Sequence, residues 1–168
     1  MDAENLRQHL VSPTTHLYCV LDGASVPKLP KRLFETETPN HCLFKGDLEP
    51  DMLYVAPYVV LMVHGAPFTD WVFDEGFGKH WGIFAQSRHS IREMRRHFRS
   101  LVTVYDENAK TLTFRFYDPR VLNKFVPMFD AEQLDTFFGT VESYYAESED
   151  KLVKYQLENG SLKQKELE

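Results

Sequence analysis

The residue types best suited to binding chemistry are concentrated in a run of arginines between positions 88 and 99. They are Arg88, Arg92, Arg95, Arg96 and Arg99. At about 100° per residue, a helix places Arg92, Arg95, Arg96 and Arg99 within one arc of roughly 100° that borders its apolar face, and Arg88 joins this arc if the helix starts early. Like charges at these spacings repel one another, and a surface that only faces solvent gains nothing that offsets this repulsion. We therefore expect the arc to meet acidic groups of this chain or of a protein partner.

A second candidate lies in the run FRFYDPR, which contains Arg115, Tyr117, Asp118 and Arg120. These side chains could bind an anionic or carboxylate-bearing partner. The alternative, which we favour, is structural. In it, Asp118 caps the following helix and one arginine pairs with Asp118 at a strand-to-helix corner.

His41 and Cys42 are adjacent in sequence and form the third candidate. A nucleophilic cysteine requires a base aimed at its sulfur and a lowered pKa. Neighbours on a strand point to opposite faces, so these two side chains could not touch directly, and a packed cysteine is the favoured interpretation. A hydrolase that uses this pair, or the Asp118/Arg120 corner, remains an alternative function.

Recognised catalytic and cofactor motifs are missing from the sequence. It contains no phosphate-binding GxxxxGK[ST], no GxGxxG after a strand, and no HExxH, CxxC or GxSxG. The seven histidines are scattered, and the two cysteines lack the spacing of a zinc site or a disulfide scaffold. We therefore expect no enzyme activity, no cofactor and no metal.

Charge is unevenly distributed along the 168 residues, whose formal net charge is −6. Residues 128–168 carry ten acids and four bases, which accounts for the whole excess, and residues 1–127 are neutral. An acidic domain with no aromatic residue on the arginine side of the 88–99 helix disfavours a nucleic-acid-binding module built on that helix. The start has no signal-like pattern, and the longest apolar run, 52–63, is shorter than the ~20 residues of a membrane span. We expect a cytoplasmic protein that binds no membrane.

Hydrophobic periodicity predicts the elements that would position these residues. The strongest is a helix over 90–101, where Ser90 and Glu93 form a capping box ahead of an apolar stripe. Further helices are predicted at 27–35, 68–75, 119–126 and 130–138. Strands are predicted at 16–21, 42–44, 58–63, 81–85, 101–105, 111–117, 141–146 and 152–157.

Strands and helices do not alternate regularly, which predicts an α+β fold: a mixed, largely antiparallel sheet with several short helices packed around it. Residues 64–80 are a candidate seam between two small lobes. The residues after Asn159-Gly160 are predicted to be a frayed polar tail. Tyr144, Tyr145, Tyr155 and Phe137 or Phe138 could serve either the core or an exposed protein interface.

Several of these motifs, in this order and spacing, resemble the adaptor (chaperone) family of bacterial type VI secretion, long known only as a domain of unknown function. The resemblance runs from about residue 17 to residue 147. It leaves an N-terminal segment, 1–16, and a C-terminal strand with a polar tail, 148–168. One departure is Gly139-Thr140, where the family leads us to expect Gly-Pro at a turn. The motifs are LDGA (21–24), APYVV (56–60), WGIF (81–84), SIREMRRHFR (90–99), FRFYDPRVL (114–122) and FFG (137–139).

The resemblance implies a non-enzymatic role in the cytoplasm. Such adaptors bind a particular toxic effector and load it onto the trimeric valine-glycine-repeat spike protein (VgrG). The expected partners are therefore a cognate secreted effector and the spike protein. Arg92, Arg95, Arg96, Arg99, Arg115, Tyr117, Asp118 and Arg120 are the candidate partner-binding residues.

Overall fold

The computed structural model describes residues 1–105 and 107–168. Its helices are α1 (Ala3–Leu10), α2 (Leu29–Glu35), α3 (Pro50–Val55), α4 (Pro67–Glu75), α5 (Ile91–Val102), α6 (Pro119–Phe125) and α7 (Ala131–Phe138), with a 3₁₀ turn at Val126–Met128. Its strands are β1 (His16–Asp22), β2 (Asn40–Cys42), β3 (Pro57–Leu61), β4 (Gly82–Ser87), β5 (Thr103–Tyr105), β6 (Thr111–Thr113), β7 (Ser143–Ser148), β8 (Lys151–Glu158) and β9 (Ser161–Leu167).

Seven of the strands in the described residues form one antiparallel sheet in the order β2-β3-β1-β4-β7-β8-β9. Strands β5 and β6 form a small separate sheet. This confirms the predicted α+β class with a largely antiparallel sheet. The large sheet is continuous across the segment 64–80, because β1 pairs with β3 on one side and with β4 on the other.

Helices cover both faces of the large sheet, which explains why β1 and β3 are apolar without alternation. Tyr18 and Val20 of β1 point into a core shared with α5, α6 and α7. Cys19 and Leu21 point into a second core on the opposite face, shared with α1, α2 and α4. Each face of the sheet therefore has its own hydrophobic core.

Helix α5 carries the arginine run, and the structure confirms its predicted capping box. Ser90 Oγ accepts a hydrogen bond from the Glu93 amide at 3.4 Å, and the Glu93 carboxylate accepts one from the Ser90 amide at 2.8 Å. Hydrogen bonds from Ser90 and His89 lower the pKa of Glu93 to about 2. The helix continues to Val102, so the strand predicted to begin at 101 begins at Thr103.

The strand predicted over 111–117 is wrong beyond Thr113. The Phe114 amide bonds to the Val102 carbonyl at 2.8 Å, and the chain then turns toward α6. Phe116 and Tyr117 are consecutive and both buried, which a two-residue alternation does not allow. The rings of Phe116 and Tyr117 both pack into the hydrophobic core beneath α5, and this tertiary packing ends strand β6 early.

The prediction of a frayed tail after Asn159-Gly160 is also wrong. Residues Ser161–Leu167 form β9, which pairs along its length with β8. Leu162 lies opposite Leu157, and Leu167 lies opposite Leu152, so apolar pairs hold both ends of a polar strand. Between those leucines the sequence has no apolar residue for a periodicity argument to detect.

Two helices were not predicted. Helix α1 lies within the N-terminal segment 1–16 and buries Leu6 and Leu10 against the sheet. Helix α3 buries none of its residues, so it has no amphipathic signal. Throughout the described part of the chain, every helix is too short or too polar to cross a membrane.

Candidate functional site

A positively charged groove lies between α5 and the edge strand β2. We call it the basic groove, and its volume is about 680 Å³. In the described part of the chain, all of its charged or titratable lining residues are basic. The groove is lined by His41, Lys45, Arg92, Arg95, Arg96, Arg99 and Ser100.

The four groove arginines have no carboxylate partner among the described residues. Arg92 and Arg96 are exposed, and Arg95 and Arg99 are partly buried. Arg88 precedes α5, which begins at Ile91, so it does not join the helical arc, and it forms an ion pair with Glu142 at 3.0 Å. The acidic C-terminal region therefore neutralises Arg88 and leaves the groove uncompensated within the described chain.

Arg99 holds the groove to the sheet. Its Nη2 donates to the carbonyl oxygens of Cys42 at 2.9 Å and Phe44 at 3.0 Å. These carbonyls belong to β2, at the edge of the sheet, and to the residues just after it. The guanidinium thus satisfies edge acceptors and fixes the position of α5 beside β2.

Titration of the groove residues reflects its concentrated positive charge. Partial burial and the charges of Arg95, Arg99 and Arg92 lower the pKa of His41. Burial and the neighbouring Arg95 lower the pKa of Arg99. A further positive charge is therefore disfavoured in the groove, and the same surroundings favour the binding of a carboxylate.

The FRFYDPR residues lie in a different arrangement, which we call the corner. Arg115 Nη2 lies 2.5 Å from Asp22 Oδ2, at the end of β1, and 3.8 Å from Asp118 Oδ2. Arg120 forms a two-point pair with Asp118, at 2.9 Å and 2.7 Å. Asp118 also caps α6 through the Arg120 amide at 3.0 Å. The arrangement favours the structural interpretation of this motif.

Burial of the corner acids supports that interpretation. Asp22 and Asp118 are buried, as is Tyr117, whereas Arg115 and Arg120 are exposed. Burial and the nearby Asp22 raise the pKa of Tyr117 to about 12. Although burial opposes it, the bonds and charge of Arg120 lower the pKa of Asp118. The two aspartates thus find their cationic partners within the chain.

His41 and Cys42 occupy consecutive positions of β2, where their side chains point to opposite faces. Burial raises the pKa of the Cys42 thiol, although Phe44, Arg99, Arg95 and Tyr58 oppose this. A cysteine nucleophile needs the opposite shift. Within the described residues, no group of three or more His, Cys, Asp or Glu side chains is placed to hold a metal ion.

The aromatic residues near the C-terminal end belong to the core. Phe137, Phe138, Tyr144, Tyr145 and Tyr155 are all buried. The three tyrosine hydroxyls donate to the Phe137 carbonyl, to Gln86 Oε1 and to Asn123 Oδ1, each at 2.8 Å. Hydrogen bonds inside the fold satisfy these groups, so none of them lies on an exposed interface.

Sequence reasoning missed a second depression, which we call the apolar cleft. It lies between the C-terminal end of α5, strand β5 and helix α7, with a volume of about 710 Å³. Val104, Tyr105, Phe114 and Phe129 contribute its apolar surface. These residues come from three separated segments, so no single stretch of sequence could have indicated the cleft.

A third depression, of about 800 Å³, contains two indole rings. The Trp71 and Trp81 rings lie 4.6 Å apart. Arg32 lies 3.9 Å above the Trp71 ring, and Lys79 lies 5.0 Å from the Trp81 ring. Cations of the chain already occupy these aromatic faces, so this depression is a weaker candidate for partner binding.

One comparison with known proteins gives a match. The model of a family described as a domain of unknown function (DUF4123) matches residues 17–136. No curated protein and no solved structure matches the chain.

Proposed function

The chain belongs to the family described as a domain of unknown function (DUF4123), and we propose that it is a non-enzymatic adaptor of type VI secretion. In this role it binds a toxic effector in the cytoplasm and loads it onto the spike protein VgrG. The matched residues include the SIREMRRHFR and FRFYDPRVL motifs, on which the resemblance to these adaptors rests.

The basic groove is the observation that carries the proposal. Its four arginines face one depression without an acidic partner among the described residues. A cluster of like charges that the fold leaves uncompensated is destabilising unless another molecule supplies the opposite charge. Arginine is also enriched at the energetic centres of protein interfaces, and charge complementarity accelerates encounter and selects partners.

Co-purification tests the proposal directly. The chain is co-expressed with the products of its neighbouring genes, and retention of an effector and of VgrG is measured by pull-down. We expect both to be retained by the native chain. We expect Arg96→Glu to lose the effector, because the substitution places a carboxylate in the groove.

A matched control keeps the test specific. Lys163→Glu makes the same charge change on an exposed residue of β9, at the opposite edge of the sheet from β2. We expect this variant to retain the effector. Failure of the native chain to retain either partner would reject the adaptor function. Equal loss with both variants would show that net charge matters rather than the groove.

A further inference from the structure

The geometry points to one continuous effector segment that fills both the basic groove and the apolar cleft, with acidic residues in the groove and apolar residues in the cleft. This inference rests on the proposed adaptor function. It adds the chemistry and the layout of the part of the effector that is recognised.

The two depressions meet at one shared lining residue. Ser100 lines both of them, because it lies near the C-terminal end of α5, where the groove ends and the cleft begins. Ser100 is exposed, and its hydroxyl donates to the His97 carbonyl at 2.6 Å, back along the helix. A chain lying along α5 can therefore pass from one depression into the other over a small side chain.

The cleft offers apolar contact area that the fold does not use. Tyr105 is 70% exposed and Val104 is 37% exposed, although both lie beside the partly buried rings of Phe114 and Phe129. Aromatic and aliphatic side chains presented in this way are typical of a protein interface. Apolar side chains of a partner would gain most by covering them.

The charged groups of the cleft restrict where acidic residues of the partner can bind. Among the described residues, its charged lining residues are Asp130 and Glu132, which are both acidic. Asp130 Oδ1 accepts a hydrogen bond from the Gln133 amide at the start of α7, which fixes that carboxylate in place. Acidic residues of the partner are thus attracted to the groove and repelled from the cleft. This charge difference decides which part of the bound segment lies in each depression.

The dimensions fit a short linear segment. From Arg92 to Ser100, α5 rises about 12 Å at 1.5 Å per residue. An extended chain covers that distance with about four residues. We therefore expect a cluster of acidic residues about four positions long, followed or preceded directly by large apolar residues.

Site-specific photo-crosslinking tests this layout. The photoreactive amino acid p-benzoylphenylalanine replaces Lys45, an exposed residue of the groove lining, Tyr105 in the cleft, or Lys163 on β9 as a control, so that all four groove arginines are kept. Each variant is co-expressed with the effector encoded by the neighbouring gene, and the crosslinked effector peptides are identified by mass spectrometry. We expect the groove and cleft probes to mark one effector segment, within about ten residues of each other, and the control probe to mark none.

Binding measurements supply a second readout. Val104→Asp adds an acid to the cleft lining beside Asp130 and Glu132 and should weaken effector binding at least tenfold. Val104 is already partly exposed, so we expect the variant to fold, and thermal unfolding checks this. Crosslinks from the two probes to distant segments or to different proteins would overturn the inference, as would unchanged binding by folded Val104→Asp. Either result with effector still retained would leave the adaptor function standing. Loss of all retention by the native chain would reject both.

Discussion

The basic groove and the corner both concentrate arginine, but they differ in what the arginines face. In the corner, Arg115 and Arg120 pair with two buried aspartates, Asp22 and Asp118. In the groove, Arg92 and Arg96 form no ion pair with an acid of the described chain. The same side chain therefore stabilises the fold in one place and is left available for another molecule in the other. Pairing within the fold distinguishes the two roles, and the number of arginines does not.

The largest effect on stability should come from removing a corner aspartate. Asp118→Ala removes the cap of α6 and leaves the Arg120 guanidinium without its two-point partner. We expect the free energy of unfolding to fall by about 2 kcal/mol, as measured by chemical denaturation. Asp130→Ala is the matched control, because Asp130 caps α7 without an ion pair within the described chain, and it should lose about 1 kcal/mol. Equal losses would mean that the corner ion pairs contribute nothing.

A smaller loss should follow removal of the groove arginine that the fold does use. Arg99→Ala removes the hydrogen bonds to the Cys42 and Phe44 carbonyls, which water can partly replace at the sheet edge. We expect a loss of about 1 kcal/mol in the same denaturation experiment. Arg95→Ala, which removes a partly buried arginine with no carboxylate partner in the described chain, serves as its control. If Arg95→Ala destabilises the fold as much as Arg99→Ala, the assignment of Arg99 as an anchor is wrong.

Removing both exposed groove arginines should change stability least, and any change should be an increase. Arg92→Ala combined with Arg96→Ala relieves repulsion at i, i+4 and removes no ion pair of the described chain. We expect the free energy of unfolding to stay within about 0.5 kcal/mol of the native value, or to rise. The same variant should bind the effector at least tenfold more weakly, measured by titration calorimetry. Marked destabilisation would show that these arginines support the fold and are not reserved for a partner.

The subtlest test concerns the titration of His41. The folded chain holds the pKa of His41 below its ordinary value of about 6.5, through burial and the three groove arginines. The unfolded chain therefore binds more protons, and the stability associated with neutral His41 is lost as pH falls from about 6.5 toward the folded value. Arg95→Gln should move the pKa of His41 upward in an NMR titration. An unchanged or lower pKa would mean that the groove arginines do not act on His41.

Sequence reasoning recovered the features that depend on neighbours in the chain. The Ser90/Glu93 capping box, the Asp118 cap and the apolar stripe of α5 all follow from residues within about four positions of one another. The strand over Ser161–Leu167 was not predicted, because its two leucines have apolar partners only when β8 lies opposite. The early end of β6 escaped for a similar reason, since burial of Phe116 and Tyr117 depends on a core built from distant segments.

The candidate site also has features that local sequence predicts and features that depend on distant residues. Helical geometry and residue type placed the arginines on one arc, and the cap and pairing of Asp118 were predicted as a structural alternative to binding. The sequence could not say which arginines would meet an acid, because Asp22 reaches Arg115 across 93 positions. It also could not place Ser100 between the groove and the cleft, whose walls come from separate elements.

The sequence by itself determined the chemistry available to this protein: an acidic C-terminal region, a neutral body and a helix with four arginines on one side. Only the tertiary structure decided how that chemistry is distributed. It buried two aspartates against Arg115 and Arg120, and it left the groove arginines without a counter-charge in the described chain. The physical reason is that local propensity acts over a few residues, whereas ion pairing acts between groups that only the complete fold brings together.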